Sequence, residues 1–493
     1  MVFFTLNVIL TIIAFALWIY FFYLKKSDNL EEFFKRFPTP PMLPILGHAK
    51  DFLSTSAALK TAHKYTNEYG TMVHVKLGSL GHILLTTDCD FIEFLLTVSK
   101  VLKRPDQIRF LESWLGNGLL VANGEKWKTR RRLMNPAFGY KMLGKFMEIF
   151  ESKCSILIEK LSEMNNTRSF DIHQYITRCT LDIVCESVTG TQMDVQNKEN
   201  SLYFQSVKNM SKIFMNRTMS ITKGYDFIYR FTSDYATEQE SLKHLHGFTD
   251  SVIRKKVEEL KNKATNSSIE ADVDEKQKSF LDTILETDGT LSHKELREEL
   301  NTLIFAGYET TAAATSFILF CLAKHKEDKI LEEQELLFGS DKNVKVTYAS
   351  LQEMKYLDNV IKEGLRLYPS LPLIGRETVQ DVEFDGYTIP KGVIVFVFIR
   401  GLHMNPKFYP DPEKFDPSRF DNVERKQSAF MPFGAGPRNC IGNKFAMLVT
   451  KSVIAKIVRN FELVPAFPEH KLELAAESVL KSLNGVKVGL KLR

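Results

Sequence analysis

The stretch Phe433-Gly434-Ala435-Gly436-Pro437-Arg438-Asn439-Cys440-Ile441-Gly442 constrains this chain more than any other. Its glycines loosen a loop, the loop presents one cysteine, and an apolar helix beginning at Asn443 follows at once. A sulfur just ahead of a helix N-terminus meets unpaired backbone N–H groups and the positive end of the helix dipole, so the thiolate is expected to be favoured over the thiol. Thiolate is the ligand that a soft metal centre takes. Gly434, Gly436 and Gly442 allow close backbone approach to a flat macrocycle. Phe433 can cover its face, and Arg438 can grip a carboxylate on its rim with two N–H groups. A cysteine in a turn, taken alone, is more often a small buried side chain. The spacing argues otherwise, because these residue types fall into this pattern by chance in roughly one such chain in a thousand. A dinucleotide-binding reading of Gly434-Ala435-Gly436 fails, since the third glycine and the preceding strand of a βαβ unit are missing.

A second constraint is a long helix. Ser292 and Glu295 make a capping box, and Leu296, Leu300, Leu303, Ile304 and Phe305 carry the apolar period onward to about Ala323. At 1.5 Å per residue, roughly 30 residues reach about 45 Å, enough to cross a domain. Its middle reads Ala306-Gly307-Tyr308-Glu309-Thr310-Thr311. Glycine and paired threonines weaken a helix interior, so these residues serve another end. Gly307 lets a flat ligand or O2 approach the backbone, the Thr310 hydroxyl can bond a carbonyl of the preceding turn, and Glu309 adds a carboxylate for moving protons. Trp127 and Arg131, four apart on a basic helix, share a face and suit an indole N–H and a guanidinium reaching one carboxylate. Lys128, Arg130 and Arg132 remain for a basic surface that an acidic electron donor could use. Glu363 and Arg366, three apart, would make a modest ion pair if exposed, and Arg419 follows between Phe415 and Phe420.

These four motifs, in this order from Trp127 to Cys440, resemble those of the cytochrome P-450 family of haem-thiolate monooxygenases, and the resemblance covers essentially the whole chain. It implies Cys440 as the iron ligand and haem b (iron protoporphyrin IX) as the cofactor. It implies Trp127, Arg131, Arg376 and Arg438 as propionate contacts, Phe433 and Gly442 against the ring beside the cysteine, and Ala306 and Gly307 on its other side. Thr310 and Glu309 become the catalytic pair that delivers protons. Glu363, Arg366 and Arg419 become a buried structural triad supporting the cysteine loop. The Trp127 context and the Gly-Tyr-Glu-Thr-Thr helix look like the clan of fatty-acid ω-hydroxylases and many insect microsomal enzymes. Many ω-hydroxylases carry, where Ala306 stands, a glutamate that esterifies the haem. The haem is therefore expected to be non-covalent here, and strict ω-selectivity does not follow.

A chain of 493 residues, 44% of them hydrophobic, can build one large core or two to three domains. Its net charge of +5 is evenly spread, and no nucleic-acid motif is present, so no nucleic-acid partner is expected. The six cysteines are scattered without a C-x-x-C pair, which favours a reducing compartment. Met1 to Leu24 is apolar but for Thr5, Asn7 and Thr11, and Trp18, Tyr20 and Tyr23 lie where interfacial aromatics sit. Lys25 and Lys26 follow, placing the body in the cytoplasm, and neither a basic start nor an A-x-A site marks cleavage. The expected organisation is a single-pass transmembrane signal anchor (1–24), a charged segment and proline-rich hinge (25–47), and a haem-thiolate monooxygenase domain (48–493). Within that domain, Met72 to Leu77 with His82 to Thr87 reads as a hairpin, Val382 to Phe384 with Tyr387 to Ile389 as a second, and Val393 to Phe398 as a further strand. Nearly everything between 90 and 370 has helical periodicity, and the polar stretch 262–279 reads as a surface loop. The fold class is mainly α with a small β lobe (α+β), a cytochrome P-450 fold.

The activity implied is insertion of one oxygen atom of O2 into a hydrophobic small molecule, such as a fatty acid, hormone-like lipid or xenobiotic. Electrons would come from NADPH through an NADPH-cytochrome reductase, with cytochrome b5 as a second donor. The location implied is the endoplasmic reticulum membrane, with the catalytic domain on the cytoplasmic face. The substrate cavity is expected between the long helix and the helices near 100–125 and 200–235, with Leu115, Leu119, Phe204, Phe214 and Phe227 as candidates. Two other classes share the cysteine loop: an isomerase or lyase that rearranges peroxides without O2, and a non-catalytic haem sensor or carrier. The intact Glu309–Thr310 pair argues against both.

Overall fold

The computed structural model describes residues 28–493 apart from 45, 78–80, 99–102, 199–200, 221, 266–277, 288–290, 326–327, 343 and 422–425, and ahead of residue 28 only 7, 10, 11 and 13–15. The expected anchor (1–24) therefore lies mostly outside the described residues, as do most of the polar stretch 262–279 and the turn of the first hairpin. Among the described residues, twelve α-helices have eight or more residues: α1 (Thr55–Glu68), α2 (Cys89–Thr97), α3 (Gly124–Met134), α4 (Met147–Ser162), α5 (Ile172–Thr189), α6 (Leu202–Met219), α7 (Ser233–Thr265), α8 (Phe280–Thr287), α9 (His293–His325), α10 (Asp328–Phe338), α11 (Lys355–Leu367) and α12 (Asn443–Asn460). The strands are β1 (Met72–Leu77), β2 (Gly81–Thr86), β3 (Phe170–Asp171), β4 (Leu373–Glu377), β5 (Val382–Phe384), β6 (Tyr387–Ile389), β7 (Ile394–Phe398), β8 (Phe461–Pro465), β9 (Leu474–Ala476), β10 (Leu480–Ser482) and β11 (Lys487–Leu492).

Both expected hairpins form. β1 pairs with β2, and β5 with β6 around Asp385 and Gly386, both at positive φ. The chain is mainly helical, as expected, and its strands fall into several small sheets. A four-stranded sheet runs β1-β2-β7-β4, a three-stranded sheet runs β3-β11-β8, and β9 and β10 form a further hairpin. The additional strands are short, and β4 carries a glycine and an arginine where a strand pattern wants β-branched residues.

Helix α9 is the axis of the helical part. Its capping box closes as expected, with Ser292 N–H donating to Glu295 Oε2 at 3.0 Å and Glu295 N–H to Ser292 Oγ at 3.3 Å. It is the one helix among the described residues long and apolar enough to cross a membrane, and it lies buried inside the protein. A helix apolar all round belongs in the middle of a large core. Here α5, α7, α11 and α12 pack around it. Two glycines bring the backbones together: a Cβ on Gly364 of α11 would run into Ile318, and one on Gly307 would press on Val184 of α5.

The proline-rich segment is not a free hinge. Leu43 and Gly47 exchange backbone hydrogen bonds of 2.9 Å, His74 N–H donates to Pro38 O, and His48 Nε2 meets Pro40 O at 2.9 Å while its Nδ1 accepts from Lys76 N–H. Phe33 and Phe34, just ahead of it, are buried, and Phe34 stacks on His74. The strap is thereby fastened along β1.

The cysteine loop is held from behind by a buried ionic cluster. Arg366 on α11 grips Glu363 with two hydrogen bonds of 2.7 and 2.8 Å, and both side chains are wholly buried. Arg419 Nε lies 3.5 Å from Glu363 Oε1. The remaining Arg366 N–H groups donate to the carbonyls of His403, Pro412 and Lys414. His403 Nε2 in turn accepts from Met431 N–H at 3.0 Å, and Met431 O accepts from Gly434 N–H. One guanidinium thus ties α11 to the segment that opens the cysteine loop. Arg366→Met should leave Glu363 charged and buried without its main partner, costing about 3–5 kcal/mol. Denaturant unfolding is expected to show that loss, whereas Lys64→Met, which breaks an exposed pair, is expected to cost under about 1 kcal/mol.

Candidate active site

The loop folds as a cradle for one sulfur. Gly434 and Gly436 take positive φ of 70° and 68°. At Gly436 a side chain is also excluded by space, since a Cβ there would collide with the Leu96 carbonyl of α2. Cys440 N–H closes the loop on Phe433 O at 2.9 Å. Phe433 itself is half-buried. Gly442 needs no positive φ. It caps α12, and its backbone N–H bonds the Cys440 sulfur. The other five cysteines are buried, whereas Cys440 has accessible surface.

Desolvation among protein atoms pushes the Cys440 thiol above its ordinary value, and the Gly442 N–H, Arg131 and Arg104 only partly offset it. A bound cation is what would complete deprotonation.

Beside this loop lie three guanidiniums with unused donors. Arg438 is buried, stacks over the Trp127 ring at 4.3 Å, and donates from Nη2 to Asn123 Oδ1 at 3.1 Å, while its Nε and Nη1 have no partner. Arg376 on β4 gives Nη1 to Gly375 O, and its Nε has no partner. Arg104 Nε has none either. Desolvation, joined at Arg376 and Arg438 by the field of Arg104, lowers their pKa values to about 10 for Arg104 and about 9 for the other two. None of the three has an ion pair among the described residues. Guanidinium does not give up its proton readily, so such a cluster calls for an anionic ligand. The two carboxylates of a haem rim match its charge and its fork geometry, and Cys440 supplies the sulfur. The residues present therefore fit haem. Arg104 carries no sequence signal, because it belongs to none of the four motifs.

Arg131 donates both terminal nitrogens to Asn439, to its carbonyl and to Oδ1, each at 2.8 Å. It steadies the residue before the cysteine. Arg130 is buried against Glu295 and Glu299, so it is not part of a basic surface, while Lys128 and Arg132 are exposed.

Across α9, Ala306 is exposed between buried Phe305 and Tyr308, and the Thr310 hydroxyl donates to Ala306 O at 2.7 Å. The helix is open to a ligand at Ala306. Gly307 beside it is partly exposed, and its missing side chain also serves packing on Val184 of α5. Glu309 is buried and turned away from Thr310: Oε1 pairs with Lys481 of β10 at 2.8 Å, and Oε2 accepts from Ser211 and Ser478. Of the cavity candidates, Leu115, Leu119 and Phe204 are buried, Phe214 is partly buried, and Phe227 stands on the surface at 76% exposure, so Phe227 does not line a cavity.

The cytochrome P450 family model matches residues 37–486. Cytochrome P450 4c3 of Drosophila melanogaster is 33% identical over 487 residues, covering 94% of this chain and 91% of that protein. Cytochrome P450 4d2 of the same species is 35% identical, covering 92% and 94%. Human cytochrome P450 4V2 is 35% identical, covering 91% and 88%. A sulfur-presenting loop beside anion-seeking arginines, in a chain aligned with these proteins along almost its whole length, has one reading. The chain belongs to the cytochrome P450 family, haem-thiolate monooxygenases that act on hydrophobic substrates and hold haem b non-covalently through a cysteine thiolate.

Proposed function

We propose that this chain hydroxylates a hydrophobic small molecule, a fatty acid, hormone-like lipid or xenobiotic, with Cys440 as the iron ligand and electrons from NADPH delivered by a reductase, cytochrome b5 serving as a second donor. The observation that carries the reading is the set of guanidiniums of Arg104, Arg376 and Arg438 beside the Cys440 loop, each with at least one N–H that has no acceptor. Haem, when bound there, supplies O2 activation and the oxidising power for attack on a C–H bond. The chain's own residues bind, orient and move protons. Arg104, Arg376 and Arg438 hold the propionates, Trp127 backs Arg438, and Arg131 fixes Asn439. Lys128, Arg132 and Lys444, exposed around the cysteine loop, offer the electron donor a basic face. The apolar residues 1–24 serve as a membrane anchor, which fits the endoplasmic reticulum with the catalytic domain on the cytoplasmic side.

Proton delivery needs one movement. Thr310 holds a proton at Oγ1 next to the exposed Ala306, but Glu309 faces Lys481, whose other partner is Glu477 at 3.1 Å. Lys481 and Glu477 are each more than a quarter exposed, so this group reaches solvent. Glu309 collects protons there and swings toward Thr310 to pass them on. Thr310→Ala and Glu309→Gln are each expected to lower kcat about 100-fold with haem content and substrate affinity unchanged. A Glu309→Gln enzyme that keeps kcat and merely unfolds sooner would reduce Glu309 to an anchor for the β9–β10 hairpin.

The whole reading is tested on Cys440. The wild type, reduced under carbon monoxide, should give the haem-thiolate difference spectrum and consume O2 with NADPH and a reductase; Cys440→Ser should do neither. Turnover of a peroxide without NADPH would favour the isomerase class instead.

A further inference from the structure

On α9, two turns before Ala306, Glu299 is almost wholly buried and takes no part in the chemistry above. Its Oε2 accepts the backbone N–H of Leu119 at 3.0 Å. Its Oε1 lies 3.4 Å from Arg130 Nε but receives no hydrogen bond. The loop it holds, 116–123, is pressed on α9 through glycines: a Cβ on Gly116 would strike the Glu298 side chain, and one on Gly118 would strike Thr302 Oγ1. The same loop reaches the haem side. Leu119 and Ala122 pack with Trp127 and Ile441, the neighbour of Cys440, and Asn123 accepts from Arg438.

We propose that Glu299 is a positioning residue, whose grip on Leu119 N–H fixes the loop 116–123 and, through it, Trp127 and Arg438 beside Cys440. The proposal rests on the haem-thiolate reading of the site. The grip depends on charge. An ionised carboxylate accepts a stronger hydrogen bond than a neutral one and holds Arg130 as well. The charged groups facing Glu299 are Arg130 and Lys126 on α3 and Glu295 and Glu298 on its own helix, while the loop opposite contributes only backbone. Desolvation outweighs the Leu119 N–H and Arg130 and pushes the Glu299 pKa up to about 7. As pH rises through that value the proton leaves and the grip tightens; as it falls, the grip weakens.

The test follows haem transfer from the full-length ferric holoenzyme to excess apomyoglobin between about pH 6 and pH 8. The wild type should lose haem about fivefold faster at the acid end, with a midpoint near 7, and Glu299→Gln should lose the step. Arg130→Gln, which removes the cation 3.4 Å from Glu299 Oε1, should move the midpoint upward, so the result does not hang on one variant. A wild type without a step, a step that survives Glu299→Gln, or a midpoint unmoved in Arg130→Gln would overturn the proposal. The carbon-monoxide spectrum of the same wild-type preparation reports separately on the Cys440 reading: a haem-thiolate spectrum with no pH step refutes Glu299 alone.

Discussion

Three guanidiniums around one cysteine loop, Arg376 and Arg438 buried and Arg104 half-buried, are the constraint to which the rest of the structure answers. Like charges brought out of water repel one another and lose hydration, and removing an anionic partner from a buried cation is a cost of several kcal/mol. Arg104, Arg376 and Arg438 come from three separate segments: the turn before Pro105, strand β4 and the cysteine loop. No local preference would gather them. They are held together by the sheet, by α9 and by the loop 116–123, so the fold carries an unfavourable cluster that a dianionic ligand relieves. A ligand that binds only the folded chain stabilises it, so an anion seated on these arginines would add to the stability of the fold.

The opposite electrostatic arrangement secures the scaffold. Glu363 and Arg366 are more deeply buried than the arginine cluster, but every donor of Arg366 has an acceptor: two carboxylate oxygens and three backbone carbonyls. A fully satisfied buried pair is costly to break, and its backbone contacts fix the segment from 403 to 414. Through His403 and Met431 that rigidity reaches Gly434. Cys440 is therefore positioned by two independent supports, the ionic cluster behind it and Arg131 on Asn439 in front.

What the sequence made legible is what local chemistry specifies. The loop glycines, the capping box, the i,i+3 spacing of Glu363 and Arg366 and the turn at Asp385-Gly386 each act within a few residues, and each is found where the pattern put it. What it hid depends on distant partners. Glu309 sits next to Thr310 in sequence, yet successive helix positions are about 100° apart, and Lys481, 172 positions later, pulls the carboxylate to the far side. Arg131 and Trp127 do share a face, but Asn439 claims both guanidinium ends. Arg104 lay outside every motif. The strands from β8 onward come from distant partners: β8 and β11 pair across more than twenty residues, and β9 with β10 lies between them.

The two sides of α9 differ in how firmly they are held, and that difference is part of what the fold does. Towards the cysteine the ties are buried and many-pronged. Around the short helix Asp226–Tyr229 they are ion pairs that reach solvent: Arg109 with Asp226 at 3.5 Å, Arg217 with Asp226, and Lys223 with Asp234 at 2.7 Å. Exposed pairs contribute only about 0.2–1 kcal/mol each and weaken with salt, whereas buried networks cost several to open. Local opening draws on the least stable region first. Local opening is therefore expected first among the ion pairs around Asp226–Tyr229, while the buried ties behind the Cys440 loop stay closed.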